Sequence, residues 1–153
     1  MNTAFQPYDP QFESRVRASF ARQAAMATIG AQMAEVGPGR VVVELPFSSH
    51  ITQQHGFVHG GIVAAALDSA CGYAASTLMA ADAGVLTIEF KVNLMAPAQG
   101  RLFRMVGEVL KPGRTISVTE ARAYALGDDG REKLVASMNA TMMVITGRDG
   151  IQH

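Results

Sequence analysis

Residues 59–79 read HGGIVAAALDSACGYAASTLM. A run of Ala, Leu, Ile and Met this long exceeds a strand, and it is too apolar for a helix with one face in water, so it predicts one buried central helix. Downstream the period changes. Ile88, Phe90, Val92 and Leu94 alternate with Thr87, Glu89, Lys91 and Asn93, which predicts a strand with one apolar face that ends before Pro97. Three more extended segments, 101–110, 115–126 and 133–145, are separated by Lys111-Pro112-Gly113 and Gly127-Asp128-Asp129-Gly130, both turn-forming, and read as an antiparallel meander. Upstream, Gly37-Pro38-Gly39 divides two further strand candidates, 31–36 and 41–45. In the N-terminal segment, 1–24, Pro10 follows Asp9 as a cap. Phe12, Val16 and Phe20 recur every four residues while Glu13, Arg15, Arg17 and Arg22 turn outward, a short amphipathic helix. One long helix covering the concave face of a single antiparallel sheet is an α+β arrangement, expected here as one domain over 1–153.

Composition narrows the function classes. At 153 residues with 48% hydrophobic and 17% charged, the chain can bury a core without metal or disulfide staples, and Cys71 has no partner for a disulfide. Thirteen Lys plus Arg balance thirteen Asp plus Glu, and no basic tract could follow a phosphate backbone, so nucleic acid is not an expected partner. The longest strictly apolar run, 62–67, falls far short of the roughly 18 residues a membrane span needs. The N-terminus carries two carboxylates and no signal-peptide core. These features predict a soluble, cytoplasmic protein with no membrane partner.

Asp68 is the only carboxylate between Leu45 and Ala81, and nearly all its neighbours are apolar or small. A charge there must be paired, hydrogen-bonded or wet, since stranding it costs several kcal/mol. It is either a structural carboxylate bonded to a donor such as Ser69 or Ser76, or a nucleophile or general base. His59-Gly60-Gly61 opens the helix, where N–H groups lack intrahelical partners and the positive helix end can hold a developing oxyanion; alternatively the glycines merely allow close packing. Gly60 and Asp68 are eight residues apart, about 12 Å along a helix. Both must approach one acyl carbon to act on it. One helix cannot supply both, so a shared substrate would bring Gly60 from one subunit against Asp68 from another.

His50, His55 and His59 with Asp68 invite a hydrolytic metal site, but Gly56, Gly60 and Gly61 break the helix that an i, i+4 histidine pair needs, and no metal is expected. In the same loop Gln53 and Gln54 are neutral amides able to donate to a carbonyl. Cys71 reads as a small buried hydrophobe. Phe57, Tyr73, Met79 and Met95 are candidates to line a pocket. Lys111 and Arg114 bracket a hairpin turn, with Arg101 and Arg104 on the preceding strand; solvated charges are the default and phosphate contacts the alternative.

Taken together, QQHGFVHGGIVAAALDSACGYAA (53–75), IEFKVNLMAPA (88–98), LKPGRTISVTEARAY (110–124) and DDGREKLVASMNATMMVI (128–145) resemble hotdog-fold acyl-CoA thioesterases of the PaaI-like group. The resemblance covers roughly residues 25–146. It implies a hotdog fold, Asp68 as the carboxylate that attacks the thioester or activates water, the Gly60 N–H as oxyanion donor with Gly61 beside it, and His59 shaping the site. It puts Thr87 where the family holds the hydrolytic water, and Gln53 where many relatives have Asn, with Gln54 or His55 sharing that role. Basic residues such as Arg114 and Lys111 would meet the nucleotide end of coenzyme A. A homodimer with two shared sites, usually paired again into a tetramer, is also implied, and no cofactor. The leading expectation is therefore an acyl-CoA thioesterase. The alternatives are a non-catalytic acyl-CoA-binding hotdog domain, which needs no carboxylate at position 68, and a hydratase or dehydratase using His59 and Asp68 as an acid–base pair.

Overall fold

The computed structural model describes residues 5–151. Two short helices, α1 (Phe12–Ala21) and α2 (Ala24–Ile29), precede the hairpin β1 (Gln32–Gly37) and β2 (Arg40–Pro46); helix α3 (Gly60–Ser76) follows, then β3 (Gly84–Leu94), β4 (Leu102–Lys111), β5 (Ile116–Leu126) and β6 (Glu132–Ile145). The expected N-terminal segment thus carries two helices and runs past residue 24, and residues 1–4 of it lie outside the described residues.

All six strands form one antiparallel sheet in the order β1-β2-β4-β5-β6-β3. Strands β4, β5 and β6 make the expected meander, but β3 does not begin it. It crosses to the far edge and pairs with β6, while β4 pairs with β2. Helix α3 lies across the inner face, where Val41, Val43, Leu45, Phe103 and Met105 are fully buried beneath it. Gly107 sets the depth of that packing: a Cβ there would come within 2.4 Å of the Ala70 carbonyl oxygen, so any side chain would lift the helix off the sheet.

Arg15 departs from its expected outward position. Its guanidinium pairs with Asp9 at 2.8 Å and donates to the Ser76 hydroxyl and to the Ser76 and Met79 carbonyls, closing the C-terminal end of α3. Asp9 accordingly serves Arg15 and the Gln11 N–H rather than capping a helix at Pro10, and α1 begins at Phe12.

Candidate functional site

Helix α3 begins with an unusual arrangement of donors. The His59 carbonyl accepts from the Ile62 and Val63 N–H groups, and its ring Nδ1 accepts from the Gly61 N–H at 2.9 Å. With Nδ1 accepting, the neutral ring carries its proton on Nε2. Three of the first four N–H groups of α3 are therefore satisfied by His59, and among the described residues none accepts from the fourth, that of Gly60. The expected role of Gly60 as a donor is compatible with this geometry; that of Gly61 is taken up by His59. Gly60 also lies under Leu94 of β3, whose Cδ1 would be 2.6 Å from a Cβ at that position.

Beside Gly60 opens a cleft of about 380 Å³, with Phe57, Val63, Leu94 and Met95 among its lining residues. Gln53 is its one polar side chain. The Gln53 Oε1 accepts from the His55 N–H across a tight turn closed by Gly56 at φ +85°, which leaves the amide nitrogen as the free end of that side chain. Gln54 and His55 are exposed and meet each other at 3.4 Å, outside the cleft lining. Of the four pocket candidates, Phe57 and Met95 belong to the cleft. Tyr73 instead bonds Ser19 and packs edge-on against Phe20, and Met79 is buried near the other end of α3.

Two turns farther along α3, Asp68 is half-buried and accepts from the Thr87 hydroxyl at 2.8 Å. The serines considered as its partners are engaged elsewhere: Ser69 donates to Gln23 and Ser76 accepts from Arg15. Burial pushes the Asp68 carboxyl above the ordinary aspartate range, and the Thr87 hydrogen bond pulls it partly back. Strict alternation sets Thr87 on the face opposite Phe90, Val92 and Leu94. The structure brings it to the same face because Ile88 is an extra residue between the pairs Thr87–Met142 and Glu89–Thr141, a bulge that resets the period. No sequence signal marked that bulge.

Cys71, on the same helix, is buried and its thiol is pushed up to about 12, mainly by burial, which keeps it protonated at neutral pH. Arg104 is held by Glu35, Glu44 and Glu132. Lys111 and Arg114 are exposed at the β4–β5 turn with no ion pair among the described residues, at the end of the sheet where Thr87 also lies. Among the described residues no three of His, Cys, Asp and Glu approach closely enough to share a metal ion, and no helix is long and apolar enough to cross a membrane.

Residues 55–131 match the model of the thioesterase superfamily. A solved thioesterase family protein from Silicibacter pomeroyi is 53% identical, with a TM-score of 0.87 over 89% of this chain and 99% of that one. An esterase-named protein of Saccharolobus solfataricus is 40% identical over 82 residues, 54% of this chain and 58% of its own length. The 1,4-dihydroxy-2-naphthoyl-CoA hydrolase of Listeria monocytogenes is 27% identical over 117 residues, 76% of this chain and 92% of that one. In fold, the PaaI protein of Escherichia coli also superposes, with a TM-score of 0.76 at 18% identity over 90% of this chain and 95% of that one. The single antiparallel sheet with its long central helix is the hotdog architecture that the sequence resemblance implied.

Proposed function

Because the chain belongs to the thioesterase superfamily, we propose that it hydrolyses the thioester of an acyl- or aryl-acyl-CoA to the free acid and CoA, in a site shared by two copies of the chain. The observation that carries this reading is the Asp68–Thr87 pair. It is a half-buried carboxylate with a raised pKa, held by a hydroxyl at 2.8 Å on a strand that forms the open edge of the sheet. A carboxylate kept there against its desolvation cost suits a general base or nucleophile. The coenzyme A part of the reading gains support from the naphthoyl-CoA hydrolase likeness.

The second copy follows from the edge strand. β3 has eleven residues and one unpaired side, and it exposes Leu86, Ile88, Phe90 and Leu94. Long apolar edges of this kind pair with another strand. Gly60 lies against Leu94 at one end of β3, and Asp68 against Thr87 toward the other. Antiparallel self-pairing about a two-fold axis exchanges those ends, so Gly60 of one subunit comes to face the partner subunit's Asp68. This removes the difficulty that about 12 Å separates them on one helix. A further pairing of dimers into a tetramer remains part of the proposal.

In that site the thioester oxygen lies on the Gly60 N–H, with the Gln53 amide as a second donor. The partner subunit's Asp68 either takes a proton from a water held with Thr87, whose oxygen attacks the carbonyl carbon, or attacks that carbon itself. Negative charge gathers on the oxygen at the helix start, the C–S bond breaks, and the CoA thiolate leaves and is protonated. The anhydride formed in the second route is then cleaved by water. The cation pair Lys111 and Arg114 meets the nucleotide phosphates. No cofactor enters. Thiol release from a panel of acyl-CoAs tests the reading, with Asp68→Asn as the control that must lower it about 10²-fold or more; a folded dimer that cleaves none of them refutes it.

A further inference from the structure

We propose that the cleft beside Gly60 is the acyl pocket, that it takes uncharged apolar acyl groups, and that Leu94 and Met95 set the length it accepts. This rests on the thioesterase reading and extends it to the substrate. Once a thioester oxygen sits on the Gly60 N–H, the two substituents of the carbonyl carbon must part, one into the cleft and one away from it. The thiol arm of CoA carries amides and phosphates that need polar partners. The cleft lining holds no Asp, Glu, Lys, Arg or His, and its single polar side chain, Gln53, has its oxygen turned onto the His55 N–H. Lys111 and Arg114, the cations assigned to the phosphates, stand outside the cleft lining at the β4–β5 turn on the Thr87 end of the sheet. The acyl group therefore occupies the cleft.

Its inner walls are fixed. Val63, Val135 and Ala136 are buried in the core, and main-chain bonds from the Met95 and Ala96 N–H groups to the Val135 carbonyl tie the outer wall to β6. Only side chains can yield, and two that line the cleft outside the core are Leu94, above Gly60 at the end of β3 where the second copy pairs, and Met95, which is flexible. Shortening either lengthens the cleft by the space its side chain fills.

The test is kcat/KM by thiol release across straight-chain acyl-CoAs, with pentanoyl-CoA set against glutaryl-CoA, which has the same chain length and a terminal carboxylate. The expected result is a preference for pentanoyl of about 100-fold or more, since the cleft offers a charge no partner. Leu94→Ala and Met95→Ala should each move the optimum to a longer chain, with about fourfold gained per added methylene. Equal rates for the two five-carbon esters, or unchanged length profiles in both variants, overturn the proposal. If no ester is cleaved at all the thioesterase reading falls instead, and calorimetric binding of non-hydrolysable thioether analogues of the same two five-carbon esters then decides the pocket alone: tighter pentanoyl binding supports it and equal binding overturns it.

Discussion

Removing a single proton tests the helix-start chemistry. Gly60 is the first residue of α3, where proline is well tolerated because no intrahelical bond uses that N–H. The residue before a proline must be extended, and His59 already sits at φ −59°, ψ 133°. A Cβ at position 60 meets the Leu94 Cδ1 methyl at 2.6 Å, the far end of a side chain that can rotate away. Gly60→Pro should therefore fold and dimerise while losing the one N–H among the first four of α3 that has no acceptor among the described residues. Loss of one preorganised oxyanion donor costs about 10²–10³ in kcat. Gly60→Ala meets the same methyl yet keeps its N–H, and should stay within about tenfold of wild type. The assay is steady-state thiol release, with circular dichroism and sedimentation confirming fold and assembly. Mixed dimers of Gly60→Pro with Asp68→Asn should then recover up to about half of wild-type activity, since one of their two sites pairs an intact Gly60 with an intact Asp68. A correctly assembled Gly60→Pro dimer with wild-type kcat refutes the oxyanion role, and inactive mixed dimers refute the shared site.

Three other outcomes follow from the same geometry. Asp68→Asn should lower kcat by about 10² or more and yet raise the melting temperature at pH 7. The folded-state pKa of Asp68 lies above its unfolded value, so ionisation disfavours the folded state, and calorimetry should find the gap closing as pH falls toward the ordinary aspartate value near 3.9. Thr87→Val removes the one hydrogen bond that favours the ionised carboxylate. The acidic limb of the kcat/KM profile should move to higher pH, and an unmoved limb would separate Thr87 from the base. Arg114→Ala should raise KM for CoA esters with little change in kcat, because a remote phosphate contact serves ground and transition states alike; equal effects on a truncated pantetheine ester would show that Arg114 does not read the nucleotide.

Local rules made the central helix, the β1–β2 hairpin and the β4–β5–β6 meander legible, since composition, helical period and turn residues act within a few positions. What they could not place was β3. It enters after a long helix with no tight turn to choose its neighbour, and its pairing with β6 is settled by which edge remains open. Arg15 was misplaced for a related reason: its spacing on α1 pointed outward, whereas its position depends on carbonyls more than sixty residues away.

The candidate site shows the same division between local and distant information. The separation of Gly60 from Asp68 was readable because helical rise is fixed, and it sufficed to say that one chain cannot bring both to one carbon. The partner of Asp68 was not readable, because it turns on the bulge at Ile88 in a Thr-Ile-Glu run without the glycine that often marks one. With Ile88 taking a regular place in the ladder Thr87 would face away from α3, and Asp68 would lose the hydroxyl that offsets its burial. The bulge therefore couples two things that strict alternation keeps apart: an apolar edge suited to a second copy, and the hydroxyl that keeps a carboxylate ionisable beside it. Deleting Ile88 is the corresponding perturbation. It should restore a regular ladder with β6 through the same pairs, Thr87–Met142 and Glu89–Thr141, and so leave the protein folded with Thr87 on the α3 face and the acidic limb of the pH profile unmoved, while taking one exposed apolar side chain from the edge and weakening dimerisation. A folded deletion variant whose acidic limb moves upward as that of Thr87→Val does would show that the pairing of Thr87 with Met142 does not hold its hydroxyl against Asp68 in solution.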